Sequence, residues 1–167
     1  DSYRLLTVKD IFRPFAWQLP YALARQDMSE AVKGIPGSRD CTSFCKTRSL
    51  KETGNVCELD LCRFDWRDDS AIFHVRADRF LHHMVRNLVG TLVEIGLGLR
   101  PADAIPAILA ARDRARAGRM APAGGLFLEE VRYPAHLLDP AWRDPASQAL
   151  GPSDDAPDDR HPEGESS

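Results

Sequence analysis

Residues 71–96 read AIFHVRADRFLHHMVRNLVGTLVEIG, and the hydrophobic period changes inside them. Ala71–Ala77 alternates, with Phe73 and Val75 on one face and His74 and Arg76 on the other, which is the period-two pattern of a half-buried strand. From Phe80 to Ile95 the apolar residues are Phe80, Leu81, Met84, Val85, Leu88, Val89, Leu92, Val93 and Ile95. That i, i+3, i+4, i+7 spacing predicts a helix with a wide buried stripe, stopped by Gly96 and Gly98. A strand that feeds a buried helix fixes one layer of sheet against one layer of helix.

Working outward, Val56–Trp66 is a long strand pattern and Arg67–Ser70 a turn, so 56–77 reads as a hairpin. Tyr3–Val8 is a further strand. Residues 9–20 are irregular, with Pro14 and Pro20. Asp27 followed by Glu30 has the form of a capping box opening a short helix to about Lys33, ended by Gly34, Pro36 and Gly37. Pro101 suits the first position of a helix running to about Arg112, with Pro106 near its start. Residues 113–125 (DRARAGRMAPAGG) form a basic, glycine-containing loop before a last strand, Leu126–Tyr133. The expected fold is α+β: a mostly antiparallel sheet with helices packed on one face.

The 167 residues carry 25 acids and 22 bases, a net charge of -3. Six of those acids lie in 151–167 (GPSDDAPDDRHPEGESS) beside one base, so residues 1–150 carry a net +2. The division expected is a folded domain over 1–147 and a disordered acidic tail over 148–167. No stretch approaches the ~18 apolar residues of a membrane span. The chain starts at Asp1 without an apolar signal segment and reads as a piece of a longer protein. Cys41, Cys45, Cys57 and Cys62 lack the C-x2-C pairs of a zinc ribbon; reduced, buried thiols in a cytoplasm are expected.

Arg86 asks for an explanation. It lies in the most hydrophobic helical segment, on a row with His82 and Gly90, beside the row of His83 and Asn87. Such a row is either a solvated stripe or the lining of a cleft in which Gly90 admits another backbone or a ligand. In a cleft the guanidinium needs a carboxylate or phosphate, because an unpaired buried charge is costly. Eight arginines against four acids between Arg76 and Arg119, with the loop bases Lys46, Arg48 and Lys51, also suit phosphate binding. His82 and His83 point about 100° apart on a helix and do not form a single metal site. No P-loop, G-x-G-x-x-G or G-x-S-x-G is present.

Three segments together carry a family resemblance. RFLHHMVRNLVGTLVEIG (79–96), ARDRARAGRMAPAGGLFLEEVRYP (111–134) and GSRDCTSF (37–44) resemble motifs of the TruA-type tRNA pseudouridine synthases, in the same order and spacing. Tyr3-Arg4 resembles the start of that family's Tyr strand. The resemblance covers roughly 3–135 and implies a pseudouridine-synthase-like fold.

It also implies isomerisation of uridine to pseudouridine in the anticodon arm of tRNA, without cofactor or metal. An Asp attacks the nucleotide, and the base is released, rotated and rejoined through carbon. By matching positions, Tyr3 is the residue against the flipped base and Arg86 the partner of the Asp. Leu126, in GLFL (125–128), is the leucine that packs on the base; His82 and Asn87 complete the expected pocket. Lys46, Arg48, Lys51 and Arg76 are the expected RNA contacts. The R-T-D-x-G-V-H string that holds the nucleophile does not occur in this sequence. The expectation is therefore a C-terminal portion of a cytoplasmic enzyme, homodimeric at full length and inactive as this chain alone. The rival readings are a non-catalytic RNA-binding module on the same fold and a small metal-binding structural protein.

Overall fold

Val56–Trp66 and Ala71–Ala77 form the hairpin expected of them, with the turn at 67–70 between them. In the computed structural model these strands, β3 and β4, lie in a five-stranded sheet with β1 (Ser2–Leu6), β2 (Gly37–Asp40) and β5 (Leu126–Glu130). The structure describes residues 2–6, as backbone only, together with 15–46 and 54–133. The strand order is β2-β3-β4-β1-β5 and every pairing is antiparallel. By its packing the chain divides into Asp1–Arg132 and Tyr133–Ser167, and the sheet and its helices belong to the first. The expected strand end at Val8, the loop bases Arg48 and Lys51, and the acidic tail fall outside the described residues. No helix among the described residues is long and apolar enough to cross a membrane.

β3 shows why an eleven-residue strand can change sides. Cys57 and Leu59 are buried, but beyond Asp60 the residues against the core are Cys62, Phe64 and Trp66. The parity of the buried positions switches because the register shifts between Leu59 and Leu61. Asp60 is the extra residue, and a bulge of this kind bends the strand while both halves keep apolar residues inward. In β4 Phe73 and Val75 join the core, while His74 and Arg76 are on the other parity and half-buried; Ile72, on that parity too, is buried. β2 escaped the sequence reading: GSRD has no apolar alternation, and its pairing with β3 is an edge contact with Gly37 at φ 106°.

Among the described residues three α-helices cover the core face. They are α1 (Arg25–Ala31), α2 (Met84–Gly96) and α3 (Ala104–Ala111). Met28, Leu88, Leu92, Ile95 and Ile105 from these helices share one cluster with Leu59, Phe73 and Val75 of the sheet. Each helix starts elsewhere than its sequence signal suggested. α1 begins at Arg25, two residues before the supposed cap Asp27, and no side chain caps it. Its entry is fixed by packing instead: the Ala24 N–H donates to the Gly96 carbonyl at 2.7 Å, closing the start of α1 onto the end of α2. α3 begins at Ala104, so Pro106 takes its third position, where a helical N–H has no internal acceptor anyway.

The largest correction concerns α2, which begins at Met84, four residues after Phe80. Leu81 accepts a turn hydrogen bond from the Met84 N–H, and His83 sits in the left-handed region at φ 65°. Phe80 and Leu81 are apolar because they pack on the core from that turn, not because they are helical. His82 is therefore not on a helical row with Arg86 and Gly90.

α2 also has a polar stripe: Arg86, Asn87, Gly90, Thr91 and Glu94. This stripe grips the basic loop. The Arg86 carbonyl accepts from the Ala121 N–H at 3.0 Å while its Nε donates to the Ala121 carbonyl at 2.8 Å. Thr91 Oγ1 accepts from the Gly118 N–H at 2.8 Å, and Glu94 Oε1 accepts from the Arg119 N–H at 2.8 Å. Between them the loop lies against the helix backbone. A Cβ on Gly90 would stand 1.6 Å from the Arg119 carbonyl oxygen, and one on Gly118 would stand 2.7 Å from a Glu94 oxygen. Gly90→Ala is accordingly expected to destabilise the protein by about 3 kcal/mol, as overpacking against backbone that cannot yield. Urea denaturation measures this; a loss below about 0.5 kcal/mol, the range of neutral surface changes, would show that the loop does not press on α2.

Candidate functional site

The residues expected to carry chemistry gather around the start of α2, with exceptions. Arg86, on the first turn of α2, is partly buried, and its Nε is taken by the Ala121 carbonyl. No carboxylate among the described residues pairs with it; the ion pairs there belong to Lys33, Arg63, His74, Arg76, Arg100, Arg112 and Arg132. A guanidinium presents five donors in a fixed fork. In Arg86 the Nε is spent on holding the loop, and the terminal amino groups meet no carboxylate among the described residues.

The loop that Arg86 holds runs through a single helical turn at Ala123–Gly125 into β5. Leu126 opens β5, half-buried against the core, and Leu128 is 54% exposed. β1 lies beside β5, with Leu5 opposite Leu126 and Tyr3 opposite Leu128; on its other side Tyr3 is opposite Val75. The backbone thus puts Tyr3 and the GLFL strand side by side, one short turn from the segment fixed by Arg86. The Tyr3 side chain lies outside the described residues.

Asn87 differs from its expected place in the pocket. It is 1% exposed and both ends of its amide are used. Nδ2 donates to the Phe44 carbonyl at 2.6 Å, and Oδ1 accepts from Arg114 Nη2 at 2.9 Å. A buried amide so satisfied is a structural pin rather than a surface open to a ligand. His82, by contrast, is exposed; its carbonyl accepts from the Lys46 N–H at 3.0 Å, and its ring lies 4.0 Å from that of His83. Lys46 is thereby brought to the same corner. Arg76 is not: it is on the sheet face away from the helices, with Nε donating at 2.8 Å to both oxygens of Asp60.

The GSRDCTSF block holds this corner from beneath. Asp40 Oδ1 accepts from the Thr42 N–H and hydroxyl, and Oδ2 pairs with Arg112 Nε at 2.9 Å. Burial pushes the Asp40 carboxyl up, but those Thr42 bonds and the Arg112 charge together hold it below the usual range. Ser43, fully buried, donates to the Ile108 carbonyl and accepts from the Asp113 N–H, tying the block to the end of α3 and the start of the basic loop. Cys41, Cys45 and Cys57 are buried and Cys62 half-buried, all as free thiols. Burial pushes Cys62 up to about 12. Among the described residues no group of three His, Cys, Asp or Glu side chains is placed to hold a metal ion.

Sequence reasoning missed Arg114, Thr91 and Glu94. The signal was present: 86, 87, 90, 91 and 94 form one helical stripe that breaks an otherwise apolar helix. Glu94 is the anchor at its far end, with Oε2 accepting from Arg100 Nε at 2.6 Å. Burial raises the Glu94 pKa, yet the Arg100 and Arg119 bonds and charges outweigh it and leave the carboxyl below its ordinary 4.5. A carboxylate with a depressed folded pKa stabilises above its unfolded value and loses that contribution as the pH falls through the folded one. Glu94→Gln is therefore expected to cost roughly 1–2 kcal/mol at neutral pH, with the gap closing as the pH drops below 4.5. Thermal melts of both proteins across pH check this; a gap that persists in acid would contradict it.

Comparison with known proteins places this geometry in context. Residues 31–134 match the family described as tRNA pseudouridine synthase. The chain is similar to tRNA pseudouridine synthase A 1 of a Bacillus cereus strain, at 40% identity over 78% of this chain and 54% of the relative. It is similar to tRNA pseudouridine synthase A of Parabacteroides distasonis at 38% identity, covering 82% of this chain and 54% of that one. The Bacillus subtilis protein of the same name is 39% identical over 74% of this chain and 50% of its own. The chain spans about half the length of the curated relatives it matches.

Proposed function

This chain belongs to the tRNA pseudouridine synthase family, and we propose that it forms the arginine-bearing part of a site that isomerises uridine to pseudouridine in the anticodon arm of tRNA. The observation that carries this reading is the state of Arg86. Its Nε is bound to Ala121, and no carboxylate among the described residues meets its terminal amino groups. The partner is the nucleophilic Asp of the family, supplied by sequence other than these 167 residues, among which no R-T-D-x-G-V-H string occurs. An adjacent guanidinium lowers a carboxyl pKa and keeps it ionised, the form needed to attack the nucleotide.

Tyr3 and Leu126 supply the face for the extruded base. An enzyme acting on a base takes it out of the stack and holds it against aromatic or apolar side chains. Supporting this, β1 and β5 are adjacent strands and the loop pinned by Arg86 leads into β5. The same reading carries a homodimeric, cytoplasmic full-length enzyme. A non-catalytic RNA-binding module is the second reading, favoured by the single fact that the nucleophile's motif is not in this sequence.

Two outcomes follow. This chain alone, incubated with uridine-containing tRNA, is expected to form no pseudouridine by mass spectrometry of the nucleosides; turnover would contradict the missing nucleophile. In the full-length enzyme containing this sequence, Arg86→Met is expected to lower kcat by about 100-fold or more, with Arg86→Lys intermediate. A kcat near that of the unaltered enzyme would take Arg86 out of the site and leave the binding-module reading.

A further inference from the structure

We propose that Lys46, His83 and Arg114, set in place by the buried amide of Asn87, form a binding site for one backbone phosphate of the RNA, beside Arg86. The inference rests on the reading of the chain as an RNA-modifying protein and deepens it by naming a contact the comparisons do not assign.

Charge is the first observation. Six lysine and arginine side chains among the described residues pair with carboxylates: Lys33, Arg63, Arg76, Arg100, Arg112 and Arg132. Lys46, Arg86 and Arg114 are in no such pair among the described residues, and the charges of all three act on His83. The His83 imidazole is held below its ordinary value by partial burial and by the charges of His82, Arg86, Lys46 and Arg114. Like charges gathered this way repel unless an anion comes between them.

Construction is the second. The three cations come from separate parts of the chain and are brought together by specific bonds. The Lys46 N–H is on the His82 carbonyl at 3.0 Å, which carries the 44–46 segment to the histidine corner. Asn87 ties that segment to the basic loop, through the Phe44 carbonyl at 2.6 Å and Arg114 at 2.9 Å. Its own N–H donates to the His83 carbonyl at 2.9 Å. His83 is held at φ 65°, a conformation uncommon for a residue with a side chain. A polar residue at a fully buried helix position, spent on orienting an arginine, is a device for aiming that arginine, and residues held in sparsely populated backbone conformations cluster at functional sites.

The ligand follows from the donors. A guanidinium, an ammonium and an imidazole offer N–H groups and no acceptors apart from the neutral imidazole nitrogen, so the complement is a compact anion with several oxygens. On an RNA the backbone supplies such a group at every nucleotide, and phosphate contacts fix register rather than read sequence. His83 is three residues before Arg86, so the phosphate held there belongs at or next to the nucleotide attacked by the aspartate that Arg86 holds. Asn87 is on this account a positioning residue that acts through Arg114.

The test uses this 167-residue chain and a fluorescein-labelled RNA hairpin, with affinity read by anisotropy over a range of KCl. Arg114→Gln is expected to weaken binding about tenfold at moderate salt and to reduce the slope of log affinity against log salt by about one, the signature of one lost phosphate contact. Asn87→Asp is expected to do the same without touching RNA, because its carboxylate would neutralise Arg114. Arg132→Gln, which alters an exposed arginine already paired with Glu130, is the control and leaves the slope unchanged. A slope unaltered by Arg114→Gln, with a native circular dichroism spectrum, overturns the phosphate site. Should Asn87→Asp fail to fold, Arg114→Gln decides alone. If the unaltered chain does not bind the hairpin at all, it is the RNA-modifying reading beneath the proposal that falls.

Discussion

The absence of a side chain at Gly90 lets the basic loop lie directly on the backbone of α2, and the site's geometry depends on that approach. With the Arg119 carbonyl seated where a Cβ would be, the loop comes within reach of every polar group on the helix stripe. Arg86 takes Ala121 from both sides of its peptide, Thr91 takes Gly118, and Glu94 takes Arg119. For the buried Gly118 and Ala121 these bonds satisfy backbone groups that would otherwise lack partners. They also fix where the chain enters β5, and so where Leu126 stands. Asn87, on the same stripe, aims Arg114 instead of holding backbone. One face of one helix therefore sets the loop, the strand after it and the cations of the corner.

The hairpin was legible in the residues because alternation over Ala71–Ala77 and the long run Val56–Trp66 are strong local patterns. The bulge at Asp60 was visible as a change in which parity is apolar, although it reads as a bulge only once the register is known. Helix starts were less legible. Asp27 and Glu30 have the form of a capping box, yet the Ala24 N–H and the Gly96 carbonyl decide the entry of α1 through a contact 72 positions away in the chain. Phe80 and Leu81 carry the helical period but belong to a turn, since the left-handed His83 is needed to bring the histidine corner to Lys46. Tertiary bonds of this kind leave no trace in local spacing.

The site divides in the same way. Arg86 stood out because a charge in an apolar helix needs a reason, and Gly90 because it left room. Asn87 was legible as a polar residue on the right helix but not as a buried pin, since its partners Phe44 and Arg114 are 43 and 27 positions away. The strand face of Arg76 was legible from the alternation, but its bond to Asp60, 16 positions away, was not. The motifs shared with the family cover the gripping surfaces themselves: the α2 stripe, the loop it holds and the GSRDCTSF block beneath them.

On the proposed reading Arg86 is a two-sided residue, one edge holding the loop and the other meant for a carboxylate from outside these 167 residues. A crystal structure of the full-length protein containing this sequence tests that most directly. The account requires the Nε of Arg86 to remain on the Ala121 carbonyl while its terminal amino groups meet an aspartate carboxylate at hydrogen-bond distance, about 2.8 Å. An Arg86 whose terminal amino groups face only solvent, with every aspartate of the other half remote, would contradict it.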